Sequence, residues 1–149
     1  MTKPEGPARY FGITYRVINM QTIGLTHEDS LIQPPYRRTC LNWIVGHILD
    51  GRESFLTYPG ESLPLTEAVA NRYKGDSASI TSAEDALSLA QLLSALEESQ
   101  ARIMAGLERI PAETLETRFD DATAGEKVAF VHWHETYHQE VCLFQHCTS

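Results

Sequence analysis

Hydrophobic side chains recur at helical spacing in four stretches of this 149-residue chain, and the segments between them show no strand-like alternation. The first stretch runs from about Ala8 to Leu25, with Tyr10, Ile13, Val17, Met20 and Gly24 on one stripe and Phe11, Ile18 and Leu25 beside it. Thr26-His27-Glu28-Asp29 is expected to close it, and Gln33-Pro34-Pro35-Tyr36 reads as a loop because paired prolines cannot continue a helix. The second runs from about Thr39 to Tyr58 and stops at Pro59-Gly60; its stripe carries Cys40, Trp43, Ile44, His47, Gly51 and Phe55. Residues 61–80 are irregular, with Pro64, Gly75 and several serines, and a short helical turn is expected near Glu67–Tyr73.

The third stretch opens on Thr81-Ser82-Ala83-Glu84, a capping-box pattern in which a hydroxyl and a carboxylate satisfy orphan amides. Leu89, Leu93, Leu96, Ile103, Leu107 and Ile110 then keep near-heptad spacing until Pro111. Gln100 interrupts that stripe, either as a polar core residue or as a group that reaches a site. The fourth starts at a second capping-box match, Thr123-Ala124-Gly125-Glu126, and runs to about Gln145. Four amphipathic helices with little else specify an all-α fold, a four-helix bundle, as one domain over 1–149. The long connection between the second and third helices is able to cross the bundle, so simple up-down-up-down topology does not follow.

Composition excludes several function classes. The formal net charge of −8, with scattered Lys and Arg, argues against nucleic acid as a partner. The apolar runs are too short to span a membrane. No apolar segment follows Met1-Thr2-Lys3-Pro4, so no signal peptide is read and a cytoplasmic protein is expected. Three cysteines, Cys40, Cys142 and Cys147, without a CxxC motif, fit free thiols in a reducing compartment.

The chemistry concentrates in His134-Glu135-Thr136-Tyr137-His138, inside the apolar, aromatic run from Val128 to Phe144. Two histidines at i and i+4 lie about 40° apart on one helix face. Phe130, Val131, Tyr137 and Val141 fall within about 60° of His134, so this face is expected to be buried, with Glu135, Gln139 and His132 pointing away. Imidazoles in an apolar stripe need partners. Two readings stand: core histidines bonded to backbone carbonyls, or two ligands of one cation.

A third ligand on another helix decides between them, and His47 is the candidate, inward and one turn after Trp43. Three nitrogen ligands leave a position open for water or substrate, as in a catalytic rather than a structural zinc-type site. His27, at a helix end, His132, pointing outward, and His146, in the last turn, read as surface. Asp50 and Glu53 lie within a turn of His47, as partners that orient an imidazole or as solvated flank.

Leu41-Asn42-Trp43-Ile44-Val45-Gly46-His47, the preceding Gln33-Pro34-Pro35 loop and the later His134-Glu135-Thr136-Tyr137-His138 together resemble the DinB-like (YfiT-like) superfamily. The resemblance covers nearly the whole chain. It implies a four-helix bundle, often homodimeric, that holds a divalent metal, often nickel or zinc, through His47, His134 and His138. Relatives include metal-dependent S-transferases using bacillithiol or mycothiol and a thiol-dependent maleylpyruvate isomerase. The chain departs from the family at Gln139-Glu140, where Gly-Gln is common, and in its early end at Ser149.

The function expected is therefore a metal-dependent transferase acting with a low-molecular-weight thiol and a small electrophile. A metal there would favour the thiolate, Tyr137 and Tyr58 are candidates to hold substrate or a metal-bound water, and the catalytic residues are left unassigned. The same geometry would serve a metal-dependent hydrolase. The competing class is a non-catalytic dimeric scaffold with a vestigial metal site.

Overall fold

The computed structural model describes residues 5–35, 39–56 and 67–145. Within them the chain is all-α apart from one two-stranded hairpin, as expected. The long helices are α1 (Glu5–Thr22), α3 (Leu41–Leu56), α5 (Leu89–Arg109) and α7 (Ala124–Gln145). Short helices α2 (His27–Ser30), α4 (Glu67–Arg72) and α6 (Ala112–Leu115) lie between them, and β1 (Arg118–Phe119) pairs antiparallel with β2 (Ala122–Thr123) ahead of α7.

The boundaries of α1 and α5 differ from expectation for local reasons. Gly24 takes a left-handed φ of 76°, which a glycine adopts without strain, and α1 ends at Thr22 rather than Leu25. Thr26-His27-Glu28-Asp29 does not close α1 but opens α2. Asp29 N–H donates to Thr26 Oγ1 at 3.1 Å, and Thr26 N–H to Asp29 Oδ2 at 2.8 Å, a reciprocal capping box.

The Thr81–Glu84 match caps only a single 3₁₀ turn, Ala83–Asp85, and Ser82 makes no cap bond to the main chain. Its hydroxyl turns to Asp85 Oδ2 at 3.3 Å instead. The chain then extends through Ala86 to Leu87, whose N–H donates to the Tyr73 hydroxyl and whose carbonyl accepts from Asn42 Nδ2. So α5 starts later, at a capping box of Ser88 with Gln91. The fourth start is where the pattern put it: Thr123 and Glu126 cap each other at 2.7 and 3.1 Å.

Among the described residues, α1 and α3 each pack extensively against both α5 and α7. The long connection from α3 to α5 thus joins packed neighbours. α3 is the most enclosed element, with every residue from Cys40 to Leu49 buried. A helix enclosed on all sides along its first half belongs at the centre of a core. Phe11, Ile18, Leu92, Leu96, Ile103, Leu107, Val128 and Val131 close around it. No helix of the described residues is long and apolar enough to cross a membrane.

Candidate metal centre

His47 sits in the middle of α3, 8% exposed. Its Nδ1 lies 2.8 Å from the main-chain carbonyl of Tyr73. A carbonyl only accepts, so Nδ1 carries the proton and Nε2 presents a lone pair. Trp43, one turn earlier, stacks on the ring at 4.6 Å and donates its Nε1–H to Ser77 Oγ at 2.9 Å.

Tyr73 is itself held. Its hydroxyl donates to Asn42 Oδ1 at 3.0 Å and accepts from Leu87 N–H at 3.0 Å. Its ring lies against Gly46, where a Cβ would come within 2.1 Å of ring carbon. A glycine beside His47 is therefore what lets the ring approach, and the ring brings its carbonyl to His47.

His134 and His138 come from α7, both half-buried. Their Nε2 atoms converge on His47: His134 Nε2 is 2.9 Å from His47 Nε2, and His138 Nε2 is 3.1 Å from His134 Nε2. Among the described residues this is the one set of three potential ligands gathered tightly enough to hold an ion, with its ligand atoms within 4.8 Å of one another. An ion about 2.0–2.1 Å from two nitrogens, at right to tetrahedral angles, separates them by about 2.8–3.4 Å, and both short contacts fall in that range.

Burial favours the neutral form, the form that ligates, at both histidines of α7. Burial pushes His138 down to about 4, with the neighbouring His134 and His47 adding to it. Burial, then His47, lowers His134 as well. Three imidazole nitrogens gathered in one small space fit a divalent cation.

A family model described as the DinB superfamily matches residues 20–142. The chain belongs to the DinB superfamily. Among solved structures it is similar to a protein described as the conserved protein of locus from Enterococcus faecalis, at 12% identity and a TM-score of 0.75, over 97% of this chain and 95% of that one. That likeness concerns the fold alone. No curated protein matches.

In this DinB-superfamily chain the remaining candidates take other places. His27 Nδ1 accepts from Leu89 N–H at 3.2 Å, at the start of α5. His132 is half-buried rather than turned fully outward: its ring lies 4.8 Å from that of Tyr10 and meets the Phe11 ring edge-on. Neither belongs to the triad. Asp50 and Glu53 do not orient His47, whose two ring nitrogens face Tyr73 and His134. Burial raises both carboxyl groups above their ordinary range. Tyr58, His146 and Cys147 lie outside the described residues, as do the side chains of Phe55, Val141 and Cys142; Cys40 is buried and free.

The buried face of α7 is not the one expected. Phe130 and Tyr137 are 61% and 58% exposed, whereas Glu135 and Gln139 are buried. The core arc runs through Ala124, Val128, Val131, Glu135 and Gln139. The histidines sit on its margin, between the core and an exposed ladder of rings, Phe130, Trp133 and Tyr137.

Glu135 enters the core because Arg52 meets it there. Arg52 Nε and Nη2 donate to Glu135 Oε1 and Oε2 at 2.7 and 3.2 Å, both side chains fully enclosed. Gln100 accepts from Arg52 Nη1 at 3.1 Å, so the break in the α5 stripe serves that arginine. The signal lay in Arg52 itself, a cation on a helix with no solvated face along its first half.

Proposed function

We propose that this protein is a four-helix-bundle metalloenzyme, with His47, His134 and His138 holding a divalent cation, nickel or zinc. It would transfer a low-molecular-weight thiol to a small electrophile. The observation that carries the reading is the convergence of three Nε2 atoms from two helices 87 residues apart in sequence. Three protein ligands, rather than four, favour a site that reacts over one that only staples. A bound cation of this kind supplies Lewis acidity that favours the thiolate form of an incoming thiol.

The chain's own residues set the geometry. The Tyr73 carbonyl fixes the His47 tautomer, so that Nε2 is the free lone pair. Trp43 keeps the ring from tilting by stacking on it and is itself tethered to Ser77. Phe130 stacks on His134 and Tyr137 meets His138 edge-on, so the solvent side of the triad is aromatic. That wall suits an apolar electrophile beside the ligated thiol. Exposed Tyr10, Ile13 and Met20 on α1 support a homodimer, and the free buried Cys40 supports a reducing, cytoplasmic setting.

Elemental analysis of protein purified without added metal, followed by a screen of several thiols against small electrophiles, tests the reading. Stoichiometric nickel or zinc, and thiol consumption lost in His47→Ala with the fold retained, are expected. A protein without metal refutes it. Full metal with destabilised His47→Ala and no turnover moves the assignment to a metal-stapled scaffold.

A further inference from the structure

Both helices that carry the triad also carry a buried ion pair, and the pair joins them a short way from the ligands. Arg52 lies five residues, about 7.5 Å of helix, beyond His47, and Glu135 follows His134 directly. We propose that Arg52 and Glu135 are positioning residues that set the register of α3 against α7 and so bring His47 onto His134 and His138. This rests on the metal-binding reading above.

The three ligands come from only two helices, so their convergence depends on how α3 slides and turns against α7. Much of the rest of the α3 surface is apolar. From Cys40 to Leu49 it is enclosed and mostly apolar, and apolar burial is non-directional. The guanidinium–carboxylate fork is directional: Nε meets Oε1 at 2.7 Å and Nη2 meets Oε2 at 3.2 Å. A slip of one turn, about 5.4 Å, opens both bonds.

The same two side chains reach the other long helices. Arg52 Nη1 donates to Ser99 Oγ at 3.2 Å and Gln100 Oε1 at 3.1 Å on α5. Thr14 Oγ1 on α1 lies 2.6 Å from Glu135 Oε2, and Gln139 Nε2 donates to the Thr14 carbonyl at 2.7 Å. One polar hub therefore ties all four long helices at the level of the metal site. Stability alone does not account for it, since a buried pair of this kind is commonly replaced by apolar residues without loss.

The test is the double variant R52M/E135M. It leaves no charge unpaired, and the Thr14 and Ser99 hydroxyls keep their bonds to the Phe11 and Leu96 carbonyls. The double variant is expected to fold with a Tm at or above the parent's. Its affinity for Ni²⁺, read by competition with a chromophoric chelator, is expected to fall about tenfold or more, with an altered Co²⁺ ligand-field spectrum. Parental affinity and spectrum in the folded double variant overturn the proposal.

A second readout needs no metal. The ring ¹⁵N resonances of His47, His134 and His138 are expected to move apart from their parental positions in the metal-free double variant, and unchanged resonances overturn the proposal. If the parent binds no Ni²⁺ yet these resonances shift, the metal reading fails and the positioning role stands. Should the double variant not fold, R52K serves, keeping the charge but not the fork. It is expected to weaken Ni²⁺ binding in the same direction, and parental affinity in R52K overturns the proposal.

Discussion

The main-chain carbonyl of Tyr73 accepts the Nδ1–H of His47 at 2.8 Å, across 26 residues of sequence. The contact ties a histidine of the candidate site on α3 to the segment that follows α4. It exists because Gly46, beside His47, has no side chain to keep the Tyr73 ring away.

Gly46→Ala therefore strikes the candidate site without touching any of its three histidines. Its Cβ would overlap the Tyr73 ring at 2.1–2.5 Å, so the ring and its carbonyl must move. Overpacking of this kind costs about 1–3 kcal/mol, and loss of a ligand's hydrogen-bond partner weakens metal binding about 10–100-fold. Urea unfolding and chelator competition measure the two effects. Unchanged Ni²⁺ or Zn²⁺ affinity in Gly46→Ala would show that the Tyr73 carbonyl does not set the His47 ring.

Glu135→Ala removes one half of an ion pair that is 0% exposed on both sides. The Arg52 guanidinium is left behind as an uncompensated charge in the core. The expected loss is about 3–5 kcal/mol, read from denaturant unfolding. A loss below about 1 kcal/mol would mean that water reaches Arg52 and solvates the charge left behind.

How far the chain could be read from its residues differs between levels. The four long helices and the three converging histidines were legible, because helical periodicity and an i, i+4 pair are local patterns. The burial of Glu135 was not, because it depends on Arg52, 83 residues away. Once a carboxylate can be neutralised in the core, the most apolar stripe of α7 is no longer the one that must face inward. Phe130 and Tyr137 moved outward for that reason. The start of α5 failed for a related one: Tyr73 and Asn42 hold Leu87 in an extended stretch that no local capping pattern reveals.

Metal-free protein should lose stability as it is acidified through the window of the buried imidazoles. Folding lowers His138 to about 4 from an ordinary 6.5 and lowers His134 in the same direction, burial being the first cause in each. The unfolded chain then binds more protons than the folded one between those values, so unfolding free energy rises with pH there. The contribution is fully present above about 6.5 and is lost as pH falls towards 4. Thermal melts of chelator-treated protein from pH 7 to pH 4 should show the fall, flattened in His138→Asn. An equal slope in the two proteins would assign the acid sensitivity to other groups.

Divalent metal should stabilise the fold, and which histidines transmit the effect identifies the ligands. An ion that binds only the folded state at a free concentration 100 times its Kd adds about 2.7 kcal/mol, or roughly 5–10 °C in Tm for a chain of this size. His47→Ala, His134→Ala and His138→Ala should each abolish most of the Ni²⁺- or Zn²⁺-induced shift. His132→Ala should retain it, because that ring packs on Tyr10 and Phe11 rather than on the triad. The discriminating outcome is the contrast between His132 and its neighbour two residues on. If His132→Ala and His134→Ala lose the shift alike, the ion is not held where the three Nε2 atoms meet, and the ligand set must be sought elsewhere on α7.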